Sequence, residues 1–306
     1  MAGATGVTAK GPWFGLFLPQ IRMKFDVILA RAQAAEAVGF DSVWLIDHLA
    51  TPMGPKLDLL EAWTTAAALA VRTESIRIGH MVTCDPFRHP ALLAKMVATV
   101  DVLSDGRLDL GIGWGSVEAE LRRFGIGDHP PAVRAARLRE TLEVLALMLT
   151  GDEFDYEGRH HRLVGAMGRP VPVQDHVPVH LGGAGPTLTM PLVRDFADWW
   201  NCPAYGVERL DELRELAGSA RVSVQHPVGL AASSAKRAET VALAERRFGG
   251  WGGMVVGTSE EVAARLAGEV ERGVEGFLLQ FHDFGQPETT ARFMEEVAPA
   301  VRAAAS

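Results

Sequence analysis

The dipeptide Asp47-His48 is the part of the chain best suited to chemistry. A histidine can give or take a proton near neutral pH, and a neighbouring carboxylate can orient it or hold a cofactor. The pair follows residues 43–46, a short apolar stretch that predicts a β-strand. The same dipeptide is equally compatible with a helix-capping aspartate beside a surface histidine. Only its position at the end of a predicted strand favours a catalytic role.

Two glycine-rich segments follow other predicted strands and could let the backbone approach an anionic ligand closely. They are Gly111, Gly113 and Gly115, and the run Gly182-Gly183-Ala184-Gly185. The free N–H groups of the helix after the second segment would point at a phosphate. Either segment alone is compatible with a tight turn, but two at one edge of a sheet favour a phosphate-bearing ligand.

A repeat of strand and helix must position these residues. Apolar stretches predict strands at residues 14–18, 43–46, 76–82, 108–112, 179–181, 197–200, 222–230 and 277–281. Stripes at helical spacing lie between them, and Thr258 with Glu261 resembles a capping box. Eight such pairs predict an α/β chain folded as a closed (β/α)8 TIM barrel, with ligands at the carboxyl ends of the strands.

Two segments interrupt the repeat. Residues 152–176 come after the fourth helix, contain a hairpin-like Tyr156-Glu157-Gly158-Arg159, and lead into a proline-rich stretch, so we expect an insertion there. Residues 248–257 carry four glycines around Trp251 and predict a mobile lid before the last βα unit. We expect residues 1–12 to be a flexible leader and residues 13–306 to form a single domain.

The composition excludes several classes of function. The 306 residues are 48% hydrophobic with a net charge of −8, which argues against a nucleic-acid partner. No apolar stretch is long enough to predict a membrane span, and two cysteines give no disulfide framework, which favours the cytoplasm. His80, His89 and His282 could ligate a metal, but the first strand lacks a His-x-His pair, so we expect no metal site.

Several motifs together resemble the bacterial luciferase-like family, from about Phe14 to the C-terminal helix. They are Gly15-Leu16-Phe17-Leu18-Pro19-Gln20, residues 35–48, Phe87-Arg88-His89-Pro90, Asp105-Gly106-Arg107, residues 111–120, residues 182–185 with Ala197-Asp198, and Leu279-Gln280-Phe281. The likeness is best to the branch that uses the deazaflavin coenzyme F420; related members use reduced FMN with oxygen.

The resemblance implies a barrel with the cofactor ring over the strand ends, often in a homodimer. By position, His48 matches the proton-donating or substrate-facing histidine, and Asp47 matches a residue that contacts the ring. It further implies that His80, Met81 and Thr83 form a bulge under the ring, with a cis peptide between His80 and Met81. The remaining cofactor-binding positions are Gly113, Ser116, Gly182, Gly183, Ala184 and Gly185.

The chain also departs from the family. Ser116 stands where sugar-phosphate dehydrogenases carry a catalytic glutamate, so glucose 6-phosphate is not the expected substrate. Thr187 replaces a lysine of the phosphate loop, which leaves more of the binding to backbone donors.

The function favoured by the sequence is hydride transfer between F420 and an apolar small organic molecule. Two alternatives stay open: an FMNH2-dependent luciferase-like monooxygenase, and a non-redox barrel that only binds a phosphorylated ligand. Arg88, His89 and Arg194 could receive the acidic tail that distinguishes F420 from FMN.

Overall fold

A computed structural model describes residues 11–52, 54, 56–127 and 129–305. The strands are β1 (Trp13–Phe17), β2 (Ser42–Leu45), β3 (Arg77–His80), β4 (Thr83–Cys84), β5 (Leu108–Gly113), β6 (Phe154–Glu157), β7 (Arg162–Ala166), β8 (Val179–Gly182), β9 (Trp199–Pro203), β10 (Arg221–Leu230), β11 (Val255–Gly257) and β12 (Gly276–Phe281). The helices are α1 (Phe25–Ala37), α2 (Ala62–Ala70), α3 (Pro90–Leu103), α4 (Glu118–Arg123), α5 (Pro131–Thr150), α6 (Thr189–Phe196), α7 (Leu210–Arg214), α8 (Arg237–Phe248), α9 (Ser259–Glu271), α10 (Pro287–Arg292) and α11 (Ala298–Ala303).

Eight parallel strand positions close into a barrel, as the sequence predicts. The order β1-β2-β3-β5-β8-β9 continues from β9 to β10 and β12, and β12 pairs with β1 again. β4 prolongs the third strand by pairing with β5, and β11 pairs with the end of β10. Thr258 and Glu261 form the expected capping box at the start of α9. The fold is therefore a (β/α)8 barrel with additions at its carboxyl-terminal end.

The inside of the barrel is filled by aromatic rings that face glycines. Trp44 packs in one inward-facing cluster with Phe17, Met81 and Leu278, and its ring lies 6.1 Å from that of Trp13. Alternate strand residues face the surrounding helices instead and form the larger apolar core. The indoles take up the space that branched aliphatic side chains usually occupy in such a barrel.

The glycines opposite these rings leave no room for a side chain, and this gives a stability prediction. A Cβ added to Gly276 would lie 2.0 Å from the Trp13 ring, and one added to Gly79 would lie 2.5 Å from the Trp44 ring. We expect Gly276→Ala to lower the free energy of unfolding by about 1–3 kcal/mol through overpacking. Thermal and urea unfolding followed by circular dichroism would measure it.

Gly268→Ala is the matched control. Gly268 lies inside α9, and a Cβ there would meet nothing within 4 Å. Because alanine is the better helix former, that variant should be slightly stabilised. Equal melting temperatures for the two variants would contradict this account of the barrel interior.

The predicted insertion is present as a hairpin. β6 and β7 pair in antiparallel fashion outside the barrel, after α5. Glu140 of α5 accepts hydrogen bonds from the N–H groups of Arg159, His160 and His161 at distances of 2.7–2.9 Å. The hairpin turn is thereby fixed to the fourth long helix.

The predicted lid is shorter than residues 248–257. Val255–Gly257 form β11 because they pair with β10, so the irregular part ends before Val255. Trp251 is 42% exposed and packs edge to face on Phe248, while Gly252 and Gly253 have positive φ. The carbonyl oxygen of Gly253 lies 2.7 Å from Nδ1 of His226, whose Nε2 lies 2.7 Å from a carboxylate oxygen of Glu269. Whether this segment moves stays a prediction.

The cis peptide lies one residue later than predicted. It joins Met81 to Val82, not His80 to Met81. The reason is that the Met81 N–H still donates to the Leu45 carbonyl at 2.8 Å, so regular pairing with β2 runs through Met81 before the chain departs from it.

Strand six also differs, since β9 spans Trp199–Pro203 and not residues 197–200. No helix of the described residues is long and apolar enough to cross a membrane.

Candidate active site at the carboxyl ends of the strands

A cavity of about 390 Å³ opens at the carboxyl ends of strands two to seven of the barrel. Its size suits a small organic ligand or part of a cofactor. Of the sequence-predicted site residues, nine line it: Asp47, His48, Met81, Gly113, Ser116, Gly182, Gly183, Ala184 and Gly185. His80 and Thr83 do not. The structure thus brings most of the candidates to one place, although their separate roles stay predictions.

His48 is held by a glutamate that the sequence analysis did not single out. Its Nδ1 lies 2.7 Å from Oε2 of Glu120, at the end of the first turn of α4. The other carboxylate oxygen accepts from the N–H groups of Leu49 and Ala50 at 2.7 and 2.9 Å. Burial alone would raise the pKa of Glu120, but the hydrogen bonds from His48 and from these backbone groups outweigh it and hold the pKa below its usual value.

Asp47 lies at the cavity wall but both of its oxygens have partners. Arg88 donates to Oδ2 and Oδ1 at 2.5 and 2.9 Å, and the N–H of Cys84 donates to Oδ2 at 2.8 Å. The side chains of Asp47 and Arg88 are 2% and 10% exposed. Asp47 therefore connects the end of β2 to the segment that follows the cis peptide of strand three.

The third strand contributes its backbone bulge and Met81. His80 is fully buried behind this wall, and its ring stacks on Trp63 at 4.3 Å. Burial lowers the pKa of His80 to about 4, which makes the ring neutral. Thr83 is likewise fully buried. Neither residue lines the cavity, and their expected part in supporting a cofactor ring through the bulge stays a prediction.

The glycine loop forms a cradle beside a hydroxyl group. A Cβ on Gly183 or Gly185 would lie 3.2–3.3 Å from the side chain of Thr189, and Gly183 has φ +128°. Thr189 lines the cavity and accepts from the Trp114 indole at 3.3 Å, so its own O–H can donate. Sequence reasoning missed Thr189, although its place four residues after the loop was a signal.

The donors of this loop differ from the expected ones. The N–H groups of Thr189 and Met190, which begin α6, both bond to the carbonyl of Gly185, and the next residue is a proline. Among the described residues, the N–H groups of Ala184 and Gly185 have no acceptor. The free donors are thus in the loop and not in the helix, as expected for a backbone nest.

Strands six and seven supply neutral polar groups to the rest of the cavity. Asn201 donates to Ser223 at 3.0 Å, and Gln225 also lines the cavity. Tyr205 forms part of the wall and packs against Gly252 of the shortened lid. Cys84 is a lining residue too, but burial raises the pKa of its thiol, which makes it a poor nucleophile.

The basic residues expected to receive an acidic tail are engaged elsewhere. Arg88 is bonded to Asp47 and to Glu61. His89 caps α3 by accepting from the N–H of Ala91, and the exposed Arg194 pairs with Asp195. No lysine or arginine lines the cavity in the described part of the chain. The prediction that these three residues bind the tail is therefore not supported by their positions.

Within the described residues, no group of three or more His, Cys, Asp or Glu side chains could hold a metal ion.

Comparisons with known proteins identify relatives along most of the chain. The chain is 36% identical over 161 residues to an F420-dependent glucose-6-phosphate dehydrogenase of Nocardia farcinica, covering 51% of this chain and 47% of that one. It is 29% identical to a Microbacterium testaceum protein of the same name, covering 95% and 88%. The matched parts span less than two thirds of the Nocardia protein and of uncharacterised mycobacterial relatives, at 47% and 65% of their lengths.

Two solved structures share the fold. An F420-dependent secondary alcohol dehydrogenase in complex with an F420-acetone adduct has a TM-score of 0.76 at 21% identity, covering 95% of this chain and 99% of that one. The oxygenating constituent of the Pseudomonas putida 3,6-diketocamphane monooxygenase, in complex with FMN, has a TM-score of 0.77 at 19% identity, covering 94% and 98%.

A sequence profile of one family covers most of the chain. It is described as luciferase-like monooxygenase and matches residues 8–246. The match agrees with the closed barrel and with the cavity at its carboxyl end. The chain therefore belongs to the luciferase-like monooxygenase family of oxidoreductases.

Proposed function

We propose that the protein is an F420-dependent oxidoreductase that moves a hydride between the deazaflavin and a neutral, largely apolar organic molecule. The observation that carries this proposal is the His48–Glu120 pair at the cavity, which provides a proton-transferring group beside a site that can hold a ring. The names of the two glucose-6-phosphate dehydrogenase relatives favour F420 as the cofactor.

The residues of the cavity fit a cofactor with a ring and a phosphate. Gly183, Gly185 and Thr189 would hold the phosphate through backbone N–H groups and one hydroxyl, because a Cβ in the loop would fill the cradle. Met81 and Val82 offer an apolar face to a ring. When bound, F420 would supply a carbon centre that accepts or returns a hydride.

The protein's own groups would bind, orient and handle the proton. His48 exchanges the proton of the substrate, since its Nε2 has no hydrogen-bond partner among the described residues. Asn201 and Gln225 can orient a polar group of the substrate without charge. The lining carries no lysine or arginine in the described residues, which favours an uncharged substrate over a phosphorylated one.

The second candidate is an FMN-dependent monooxygenase. It is favoured by the fold shared with the FMN-bound diketocamphane enzyme and by the engagement of Arg88 with Asp47, which removes one expected partner of an acidic tail. A homodimer and a cytoplasmic location stay predictions from the sequence.

Cofactor titration tests the proposal most directly. We expect F420 to quench tryptophan fluorescence of the cofactor-free protein with a micromolar dissociation constant, while FMN binds at least about tenfold more weakly, a difference of about 1.4 kcal/mol. Trp114 is the reporter because it lines the cavity.

Trp114→Phe is the control that assigns the signal. It should lose most of the quenching while isothermal titration calorimetry still detects binding. Tighter binding of FMN, joined to oxygen consumption when the flavin is reduced, would instead establish the monooxygenase. Binding of neither would exclude both redox functions.

A further inference from the structure

We propose that a second cavity of the protein is a binding site for a phosphate group. This second cavity measures about 210 Å³ and lies beyond the carboxyl ends of β10 and β12, against α8 and α10. None of its described residues lines the first cavity, so the inference does not rest on the proposed function. Pockets for whole small molecules usually measure about 300–1,000 Å³, so this one suits a single anionic group of a ligand.

Two helices and two strand ends form the walls of the second cavity. Lys236, the N-cap of α8, and Thr240 inside that helix are four residues apart and both line it. Thr289 and Arg292 line it from α10, three residues apart. Residues at these spacings lie on one face of a helix. The last residue of β10 and His282, which follows β12, add to the lining. Side chains from both helices therefore converge on one space.

Thr240 offers the second cavity a buried hydroxyl group that has no partner. The residue is only 8% exposed, and its side chain makes no hydrogen bond to the described residues. A buried polar group normally has a hydrogen-bond partner, because leaving it without one costs free energy. Thr289 differs, since its hydroxyl already donates to Asp283 at 2.6 Å. The Thr240 hydroxyl is therefore free to donate to a ligand oxygen.

The charged groups of the second cavity leave one positive charge without a counter-charge. Nζ of Lys236 pairs with Glu239 at 2.7 Å, so these two charges cancel. Burial lowers the pKa of His282, which keeps its ring uncharged at neutral pH. Arg292 has no carboxylate partner among the described residues. Its guanidinium group can bind two oxygens of a phosphate at once.

The directions of the donors favour a phosphate over a carboxylate. Thr240 donates from α8 and Arg292 from α10, and Ala232 lines the cavity from the loop between β10 and α8. In the described part of the chain, the N–H of Ala232 has no acceptor. A guanidinium group alone serves both oxygens of a planar carboxylate, whereas a tetrahedral phosphate has further oxygens for the hydroxyl and the N–H. The dipole of α8 also favours an anion near its first turn.

A phosphate group in this place would connect α8 to α10. The connection matters for the neighbouring lid, because α8 ends at Phe248 and the Trp251 ring packs on that residue at 5.9 Å. We therefore expect bound phosphate to slow amide hydrogen exchange in both helices. Because a ligand that binds only the folded state stabilises it, the melting temperature should rise as well.

Calorimetry and hydrogen exchange with inorganic phosphate test the site directly. The cofactor-free protein is titrated at constant ionic strength, with sodium chloride as the comparison salt, and we expect a dissociation constant of about 1 mM or lower. Mass spectrometry then locates the protected amides, which should lie in residues 232–243 and 287–292. Protection confined to residues 182–190 would place the phosphate in the glycine loop and overturn the proposal. Equal effects of phosphate and chloride would overturn it too.

Two substitutions remove the donors separately. Arg292→Met should weaken phosphate binding at least about tenfold, and Thr240→Val, which keeps the side-chain shape, about three- to tenfold. Arg246→Met is the matched control, because Arg246 is an exposed arginine of α8 that does not line the cavity. It should keep the wild-type affinity. If Arg292→Met does not fold, Thr240→Val decides, and wild-type affinity in the folded variants would overturn the proposal.

The phosphate group could belong to free phosphate or to an organic monoester, and two further probes distinguish these sources. Methyl phosphate that binds more tightly than inorganic phosphate would support the site and assign it to a monoester. Equal or weaker binding of methyl phosphate would support the site and assign it to the free ion. Acetate that binds as tightly as inorganic phosphate would contradict the preference for a tetrahedral group and overturn the proposal.

Discussion

His48→Ala is expected to lower turnover by roughly 10² to 10⁴-fold while leaving cofactor affinity within about threefold of wild type. The reason is that the proposed function gives His48 the proton transfer, whereas it assigns the phosphate to the loop at Gly183 and to Thr189, which also line the cavity. Turnover would be followed as the change in F420 absorbance with cyclohexanol, and affinity by tryptophan quenching.

His176→Ala is the control for this experiment. The His176 side chain is 67% exposed and pairs with Asp198 at the surface, so its removal should change neither quantity. Unchanged turnover in His48→Ala would remove His48 from catalysis and leave it as a structural partner of Glu120. A loss of cofactor affinity as large as the loss of rate would instead place the ring against the cofactor.

The barrel could be predicted from the sequence because its signals are local. Apolar strands followed by helical stripes, and the capping box at Thr258, depend only on neighbouring residues. The same is true of the hairpin after α5. The sequence analysis does not predict α8 or β11, and β11, which forms by pairing with β10, occupies the end of the expected lid.

Only those candidate site residues that follow the ends of strands could be predicted from the sequence. His48 and the glycine loop reach one cavity because parallel strands end on the same side of a barrel. Glu120 was missed because its contact with His48 spans 72 residues and depends on where α4 lies after strand four. The sequence offers Arg88 as one candidate partner of an acidic tail because its contact with Asp47 spans 41 residues and leaves no local pattern.

Asp47 shows how a long-range partner changes the meaning of a site residue. The family resemblance implies that Asp47 contacts the cofactor ring, whereas the structure gives both of its oxygens to Arg88 and to the N–H of Cys84. Asp47 therefore combines a position at the cavity wall with a buried ion pair that connects the end of β2 to the segment between β4 and α3. The two roles predict different results for single and double variants.

Asp47→Leu is expected to lower the free energy of unfolding by about 3–5 kcal/mol, because it leaves the Arg88 guanidinium buried with only the half-exposed Glu61 as counter-charge. The double variant Asp47→Leu/Arg88→Met should recover most of that loss, since an apolar pair of similar volume removes the unpaired charge. Cofactor affinity distinguishes the ion-pair role of Asp47 from a contact with the cofactor ring.

If Asp47 acts only through Arg88, cofactor affinity recovers together with stability in the double variant. If Asp47 also contacts the ring, cofactor affinity stays low in the stable double variant. Glu212→Gln, which breaks an exposed pair with Arg209, should leave the melting temperature unchanged. A single Asp47→Leu variant as stable as wild type would show that the buried pair does not stabilise the fold.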